Sequence, residues 1–401
     1  MLTYTPIQSI VQDRTMRLYG ACLALLPALT VYNIFDRDKW KWLIEVNDSI
    51  CWPMVPDCRM WHTLSAAQVK FGLLALAAAS VLTALGFLRP RTARTAWWSL
   101  LVLTVVKTLI LLVDYRLRLN QHIMATWVTL AFLLAPEKKT SLKVLIALFY
   151  FWSGIIKLTP EWLSGAALYT RPWPIDGPLL PWATAYVVVL EIVLVWGLMW
   201  DRTAVAWATL VQLLLFHTMS YQVVGLFYPA LMVAILAIYP LSWRLDPDRP
   251  STAVQLRKRS GTWPALALAA LFSTTQLWSY SYPGDTALTG EGRLFSLHMF
   301  DAYTSCEAEA HIRHRGAPVQ IYNLYQPLPV RIHCDPVVYI NRARNLCLRN
   351  ASNPRFENLD LVLRSRRSTA PDYTPVLDMR DFCSQNLDYS LLRTNDWILK
   401  D

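Results

Sequence analysis

The sequence predicts an all-α polytopic membrane domain of about nine transmembrane helices, followed by a small β-rich extracytoplasmic C-terminal domain. Three observations carry that prediction. The 401 residues are 54% hydrophobic and only 16% charged, where a soluble domain averages roughly a quarter charged. The apolar residues gather in blocks near the roughly 20-residue length of a membrane-crossing helix. After residue 281 the blocks give way to short β-type runs between turn residues. The domains are therefore placed at 1–281 and 282–401.

The spans fall at approximately 19–34, 66–88, 96–113, 119–135, 143–158, 182–200, 203–220, 222–241 and 262–281. The first follows Arg14 and Arg17 and lacks a small-residue cleavage site, so it reads as a signal anchor. From Thr203 to Trp243 no charged residue occurs, only His217. At ~1.5 Å per residue that stretch is about twice as long as a hydrocarbon core is thick, so it must fold back as two spans. The turn is expected at Met219-Ser220-Tyr221-Gln222, with Pro229 kinking the returning helix.

Basic residues set the orientation. Arg14/Arg17, Arg89/Arg91/Arg94, Lys138/Lys139/Lys143, Arg202 and Arg244/Arg249/Arg257/Lys258/Arg259 all fall on loops of one parity. The positive-inside rule makes that side cytoplasmic, with the N-terminus inside and the C-terminal domain in the periplasm, lumen or exterior. This topology accounts for much of the net charge of +10, and no nucleic-acid-binding motif accompanies it. Cys51, Cys58, Cys306, Cys334, Cys347 and Cys383 all fall on the outer, oxidising side, and Cys22 alone sits in a span. Disulfides are expected, with the pairing open, and the spacing gives no metal site. Two glycosylation sequons, at Asn47 and Asn350, are also outside.

In the C-terminal region Val319–Leu324 and Val330–His333 read as strands, punctuated by Pro327, Pro329 and Pro336. Residues 341–350 and 391–399 read as short helices.

Ionisable groups at membrane depth carry the functional signal. Lys107, Asp114, Lys157, Glu191 and His217 lie within or at the ends of spans, and Asn120-Gln121-His122 opens the fourth. The topology delivers Asp114, His122, Lys157 and His217 from four helix ends to one depth on the outer side. Each has a structural alternative. Lys157 could snorkel, His217 could bridge helices, Glu191 could pair with Lys107, and Asp114 could pair with Arg116 or Arg118. The chemical reading of Lys157 is that an apolar wall withdraws solvation from an ammonium, making a neutral amine available as a base. The surrounding Tyr150, Phe151, Trp152, Trp162, Phe216, Tyr221, Phe227 and Tyr228 suit a flat, membrane-borne ring such as a quinol.

Ser153-Gly154-Ile155-Ile156-Lys157-Leu158-Thr159-Pro160-Glu161-Trp162-Leu163-Ser164-Gly165 resembles a segment of the vitamin K-dependent gamma-carboxylase family. That family has bacterial relatives with a horizontally transferred transmembrane (HTTM) domain. Phe216-His217-Thr218-Met219-Ser220-Tyr221-Gln222 is similar to the family's histidine segment, and Asp114 with Asn120-Gln121-His122 to another. Leu294 to Phe300 is similar to the segment that opens its outer β domain. The chain departs from the family pattern at Ile156, where a second lysine is usual, and at Ser220 and Gln121, where asparagines are usual.

The resemblance implies a nine-span bundle with an outward-facing active site. It implies that Lys157 deprotonates a reduced vitamin K or menaquinol-type quinol, which oxygen turns into a strong base on the way to the epoxide. That base takes a γ-proton from a glutamate of an exported peptide, and CO2 adds. By the same resemblance Lys157, His217 and His122 are the catalytic candidates. Asp114, Gln121, Trp162, Tyr221 and Gln222 are the cofactor-binding ones. The partners expected are the lipid bilayer, the quinol and the peptide, with no nucleic acid and no metal. A competing expectation is a non-catalytic HTTM protein that assists maturation or export of a secreted peptide or toxin. A transporter is disfavoured by the lack of an inverted repeat.

Overall fold

The computed structural model describes residues 6–55, 57–168, 175–248, 250–258, 263–294, 296–298, 304–325, 328 and 332–400. The chain begins with α1 (Pro6–Gln12), α2 (Arg14–Ala24) and α3 (Leu26–Phe35), then α4 (Ala66–Leu88), α5 (Ala93–Val113), α6 (Asn120–Leu134) and α7 (Lys138–Ile155). A short turn α8 (Pro160–Leu163) leads to α9 (Leu180–Ile192), α10 (Ala204–Val224), α11 (Phe227–Leu236), α12 (Ile238–Leu245), α13 (Thr252–Lys258) and α14 (Trp263–Leu277). The C-terminal part adds α15 (Thr286–Thr289), β1 (Thr304–His314), β2 (Gln320–Asn323), α16 (Pro336–Asn350), β3 (Phe356–Arg367) and β4 (Thr374–Met379).

Among the described residues, six helical stretches are long and apolar enough to cross a membrane: Arg14–Leu43, Ala66–Leu88, Ala93–Val113, Gly177–Trp200, Ala204–Val224 and Phe227–Leu245. The three other expected spans are present as helices but shorter or more polar. α6 and α14 have 15 residues each, and α7 carries Lys138, Lys139 and Lys143 in its first two turns.

Local chemistry explains where the helices start and stop. Ser65 caps α4 reciprocally with Gln68, and Thr203 caps α10 through its hydroxyl. The returning turn lies later than the sequence suggested. α10 runs through 219–222 and stops only at Gly225, whose φ of 77° an L side chain resists. Pro229 then occupies the first turn of α11, where a missing N–H leaves no helical bond unmade, and so it produces no kink there. The first span is likewise two helices, broken at Leu25.

α7 is the axis of the bundle, and nearly all its residues are buried. Its lysines, read from sequence as part of a basic cytoplasmic loop, are buried too. Lys139 pairs with Asp13 (2.5 Å) and Asp246 (2.6 Å), and Lys143 with Asp201 (2.5 Å). Lys138 donates to the carbonyls of Leu133 and Ala135. Carboxylates from three other segments thus close that end of the bundle.

The opposite end carries the C-terminal domain. Its antiparallel sheet has the order β2-β1-β3-β4, and α16 shares a core with it through Tyr339, Ile340, Leu361 and Leu377. The cysteines pair as Cys51–Cys58, Cys306–Cys334 and Cys347–Cys383. Strand β2 matches one expected strand. Of the other, Val330 and Arg331 lie outside the described residues, and Ile332 and His333 form a turn. The expected helix at 341–350 begins earlier, at Pro336, where Asp335 caps it. Residues 391–399 form bends and turns instead of a helix, tied by Asn395 to the buried Glu291. Phe295, Met299 and Phe300 of the outer-domain segment also lie outside the described residues.

The domain docks on the helix loops through polar contacts. Asn341 donates to the carbonyl of Cys51 and accepts from its N–H, and Asn345 donates to the carbonyl of Ser49. The buried Arg293 pairs with Asp335 and donates to the hydroxyl of Tyr115. A cavity of about 330 Å³ lies between the Cys51–Cys58 loop, α16 and the terminal segment.

Candidate active site

Lys157 lies two residues beyond α7, at the end that faces the C-terminal domain, and is 4% exposed. It does not snorkel. Its Nζ lies 2.5 Å from Glu191 Oε2, and Glu191, on the last turn of α9, is 1% exposed. A glycine makes this approach possible. A Cβ on Gly154 would stand 2.5 Å from Ile192 Cγ1 and 3.1 Å from Glu191 Cβ. The α7 and α9 backbones therefore touch just where the two charged groups leave them. The sequence reading that Glu191 pairs with Lys107 is overturned by this geometry.

Aromatic rings wall the amine. The Trp162 ring centroid is 5.1 Å from Lys157 Nζ and that of Phe216 is 5.7 Å. Both are within cation–π range. Trp162 is fixed by its indole N–H, which donates to the Thr184 carbonyl at 3.0 Å, and by the Thr159 cap of α8.

His217, next to Phe216 on α10, is fully buried, and its Nε2 lies 2.6 Å from the Tyr150 hydroxyl. If the hydroxyl donates, Nε2 accepts and Nδ1 carries the proton, a tautomer set by this bond. Nδ1 of His217 and Oε1 of Glu191 have no hydrogen-bond partner among the described residues. The site thus presents one amine, one carboxylate oxygen and one imidazole nitrogen beside aromatic surfaces.

His122 belongs to a neighbouring cluster. Its ring packs on Phe227 at 5.1 Å, and the next residue, Tyr228, packs on His217 at 5.1 Å. The Phe227–Tyr228 dipeptide thus stands between the two histidines. Gln121 is also buried, its Oε1 without a donor.

Three candidates lie elsewhere. Asp114 is fully buried but engaged, accepting from Arg116 Nε (2.9 Å), Nη2 (2.8 Å) and backbone N (2.8 Å). Arg116 also reaches Glu45 at 2.8 Å, so Asp114 organises loops and offers no oxygen to the Lys157 site. Tyr221 and Gln222 are exposed on α10, because that helix continues where a turn was expected. Tyr150 and Glu191 take their place. Glu191 was visible as an intramembrane acid, but nothing in the sequence singled out the Tyr150–His217 bond.

Glu161 was also missed. Four residues past Lys157, it is fully buried and pairs with Arg367 from β3 at 3.0 Å, while Arg367 also grips Asp285. Near the sheet, Cys306, Cys334 and His333 are close enough to share a metal, but the two sulfurs are joined to each other. The chain matches no family model, no curated protein and no solved structure.

Proposed function

We propose that this chain is a multi-pass membrane enzyme that couples oxygenation of a reduced naphthoquinone to carboxylation, or a related modification, of an exported peptide. Its N-terminus is cytoplasmic, and nine membrane spans carry the C-terminal domain to the outer side. The observation that carries the reading is the buried Lys157–Glu191 pair flanked by Trp162, Phe216 and the His217–Tyr150 couple.

A flat ring bearing oxygens fits these residues. The faces of Trp162 and Phe216 suit its apolar body, and Glu191 Oε1 and His217 Nδ1 are buried polar atoms with capacity left for its hydroxyls. When bound with oxygen, a quinol of this class supplies the strong base that a γ-proton of glutamate requires. The chain's own part is proton handling. Passing the shared proton from Lys157 to Glu191 leaves a neutral amine beside a neutral acid, with no change in net charge. The amine is then free to accept a proton from the ring hydroxyl. Tyr150 fixes the His217 ring in one orientation and leaves Nδ1 available. Burial excludes water from these transfers.

The test uses purified protein in lipid with reduced vitamin K or menaquinol, oxygen and labelled bicarbonate. Wild type should form the quinone epoxide and Lys157→Gln should not. If wild type forms none with either quinol, the competing reading as a non-catalytic membrane partner of a secreted peptide takes its place.

A further inference from the structure

Once Glu191 is assigned to Lys157, Lys107 stands without a carboxylate. It lies in the middle of α5, is 2% exposed, and its Nζ donates to Thr126 Oγ1 at 3.2 Å. Among the described residues no acid lies within ion-pair distance of it. An ammonium buried with one neutral hydroxyl as its acceptor is far short of the compensation such a group needs.

The contact places this amine beside His122. Thr126 and His122 are four residues apart on α6 and share a face, and Thr126 Oγ1 also donates to the His122 carbonyl at 2.8 Å. His122 is 4% exposed, and neither ring nitrogen has a partner among the described residues. The positive end of α6 begins two residues earlier. Lys107 and His122 meet the same first turns of α6, near its positive end, where negative charge is favoured. The neighbouring wall is apolar, formed by Phe227. On the other side of α5, Val102, Val105 and Leu109 are exposed to the surroundings of the bundle.

We propose that Lys107 and His122 form a second binding point, which takes the anionic oxygen of a membrane-borne aryl alcohol. The inference rests on the quinol reading and adds a division of labour to it. The Lys157–Glu191 pair takes a proton at one ring oxygen, and Lys107 holds the opposite oxygen, which enters already ionised. Phe227 and Tyr228 lie between the two points, and their rings would wall the apolar body of such a molecule. A small hydrated oxyanion fits less well, because the site offers no run of polar groups to replace its water. An aryl oxide spreads its charge over the ring and brings its own apolar body.

The experiment is equilibrium binding to the full-length protein in lipid nanodiscs, without reductant, so that no turnover occurs. The probes are a hydroxynaphthoquinone, ionised at neutral pH, and its uncharged methyl ether. Wild type should bind the anion more tightly than the ether. Lys107→Met should weaken the anion at least about ten-fold and leave the ether within about two-fold, and Lys107→Arg should recover most of the loss. Melting of Lys107→Met should be unchanged or higher, since the substitution removes an uncompensated charge.

Equal weakening of both probes, an anion affinity indifferent to Lys107, absence of binding, or displacement by millimolar acetate would each overturn the proposal. A dependence on Lys157 alone would put the anion at the first site, leaving the quinol reading intact and this one lost. Lys107-dependent binding by a protein that makes no epoxide would do the reverse.

Discussion

Arg367 Nη1 lies 3.0 Å from Glu161 Oε2, joining the end of a strand in the C-terminal domain to the turn that follows Lys157. Thr369 donates to the other oxygen of the same carboxylate. The helix bundle and the sheet are therefore fastened within four residues of the candidate base.

Arg367→Gln should leave Glu161 buried with a charge that Thr369 alone cannot balance. The expected loss is about 3 kcal/mol, the low end for a buried charge deprived of its partner, because Thr369 remains. Thermal unfolding in detergent checks it. Glu161→Gln in the same background should restore part of the loss, whereas independent effects would show the contact to be idle.

Removing one member of the Lys157–Glu191 pair should destabilise the bundle by about 3–5 kcal/mol, because the remaining charge has no water to return to. Lys157→Met with Glu191→Leu together should unfold close to the wild-type temperature. Both variants should lack quinone turnover, so melting and turnover separate in the double variant. A double variant as unstable as the singles would contradict the geometry.

Gly154→Ala places a methyl group within 2.5 Å of Ile192 Cγ1. Overpacking of this kind costs roughly 1–3 kcal/mol. It should also push α9 outward and lengthen the Lys157–Glu191 contact, lowering turnover more than stability alone explains. Gly72, which faces open space, is the control and should tolerate alanine.

Asp57, in the Cys51–Cys58 loop, is lowered to about 2 from its ordinary 3.8, chiefly by hydrogen bonds from the Arg59 side chain. A depressed carboxylate contributes stability that is complete above about pH 4 and is lost as pH falls toward 2. The pair is half-exposed, so the effect is screened and amounts to a few tenths of a kcal/mol. Melting curves from pH 6 to pH 2 should show a slightly steeper fall for wild type than for Asp57→Asn.

Replacing Cys347 and Cys383 together by serine opens a bond between residues 36 apart. The chain-entropy estimate for a loop of that length is about 3–4 kcal/mol. The C-terminal domain should melt earlier, read by protease susceptibility of the sheet. Intact-mass mapping under non-reducing conditions should also recover the three pairs and a free Cys22.

The helices were legible because burial in a membrane writes itself as long apolar runs, and the cysteines because they share one side. Helix ends were less legible. Gly225 stops α10, but from sequence the polar Ser220-Tyr221-Gln222 looked the better turn. Partnerships were least legible, since the identity of Glu191 says nothing of which way it faces. The missing signal was Gly154, a close-approach residue one turn before Lys157. The lysines of α7 misled for a related reason: a basic cluster looks the same whether it meets water or three aspartates from distant segments.

Asn341 holds Cys51 through two hydrogen bonds across 290 residues of chain. The first loop leaves the ribosome early, and the helix that receives it is made nearly last. Until then the loop is shaped by its own disulfide and by the end of α5, through Ile50 and Trp52, and it lacks its cover. A product that stops before α16 would leave the Cys51 N–H and carbonyl without this partner, which makes the closing helix a natural checkpoint for quality control.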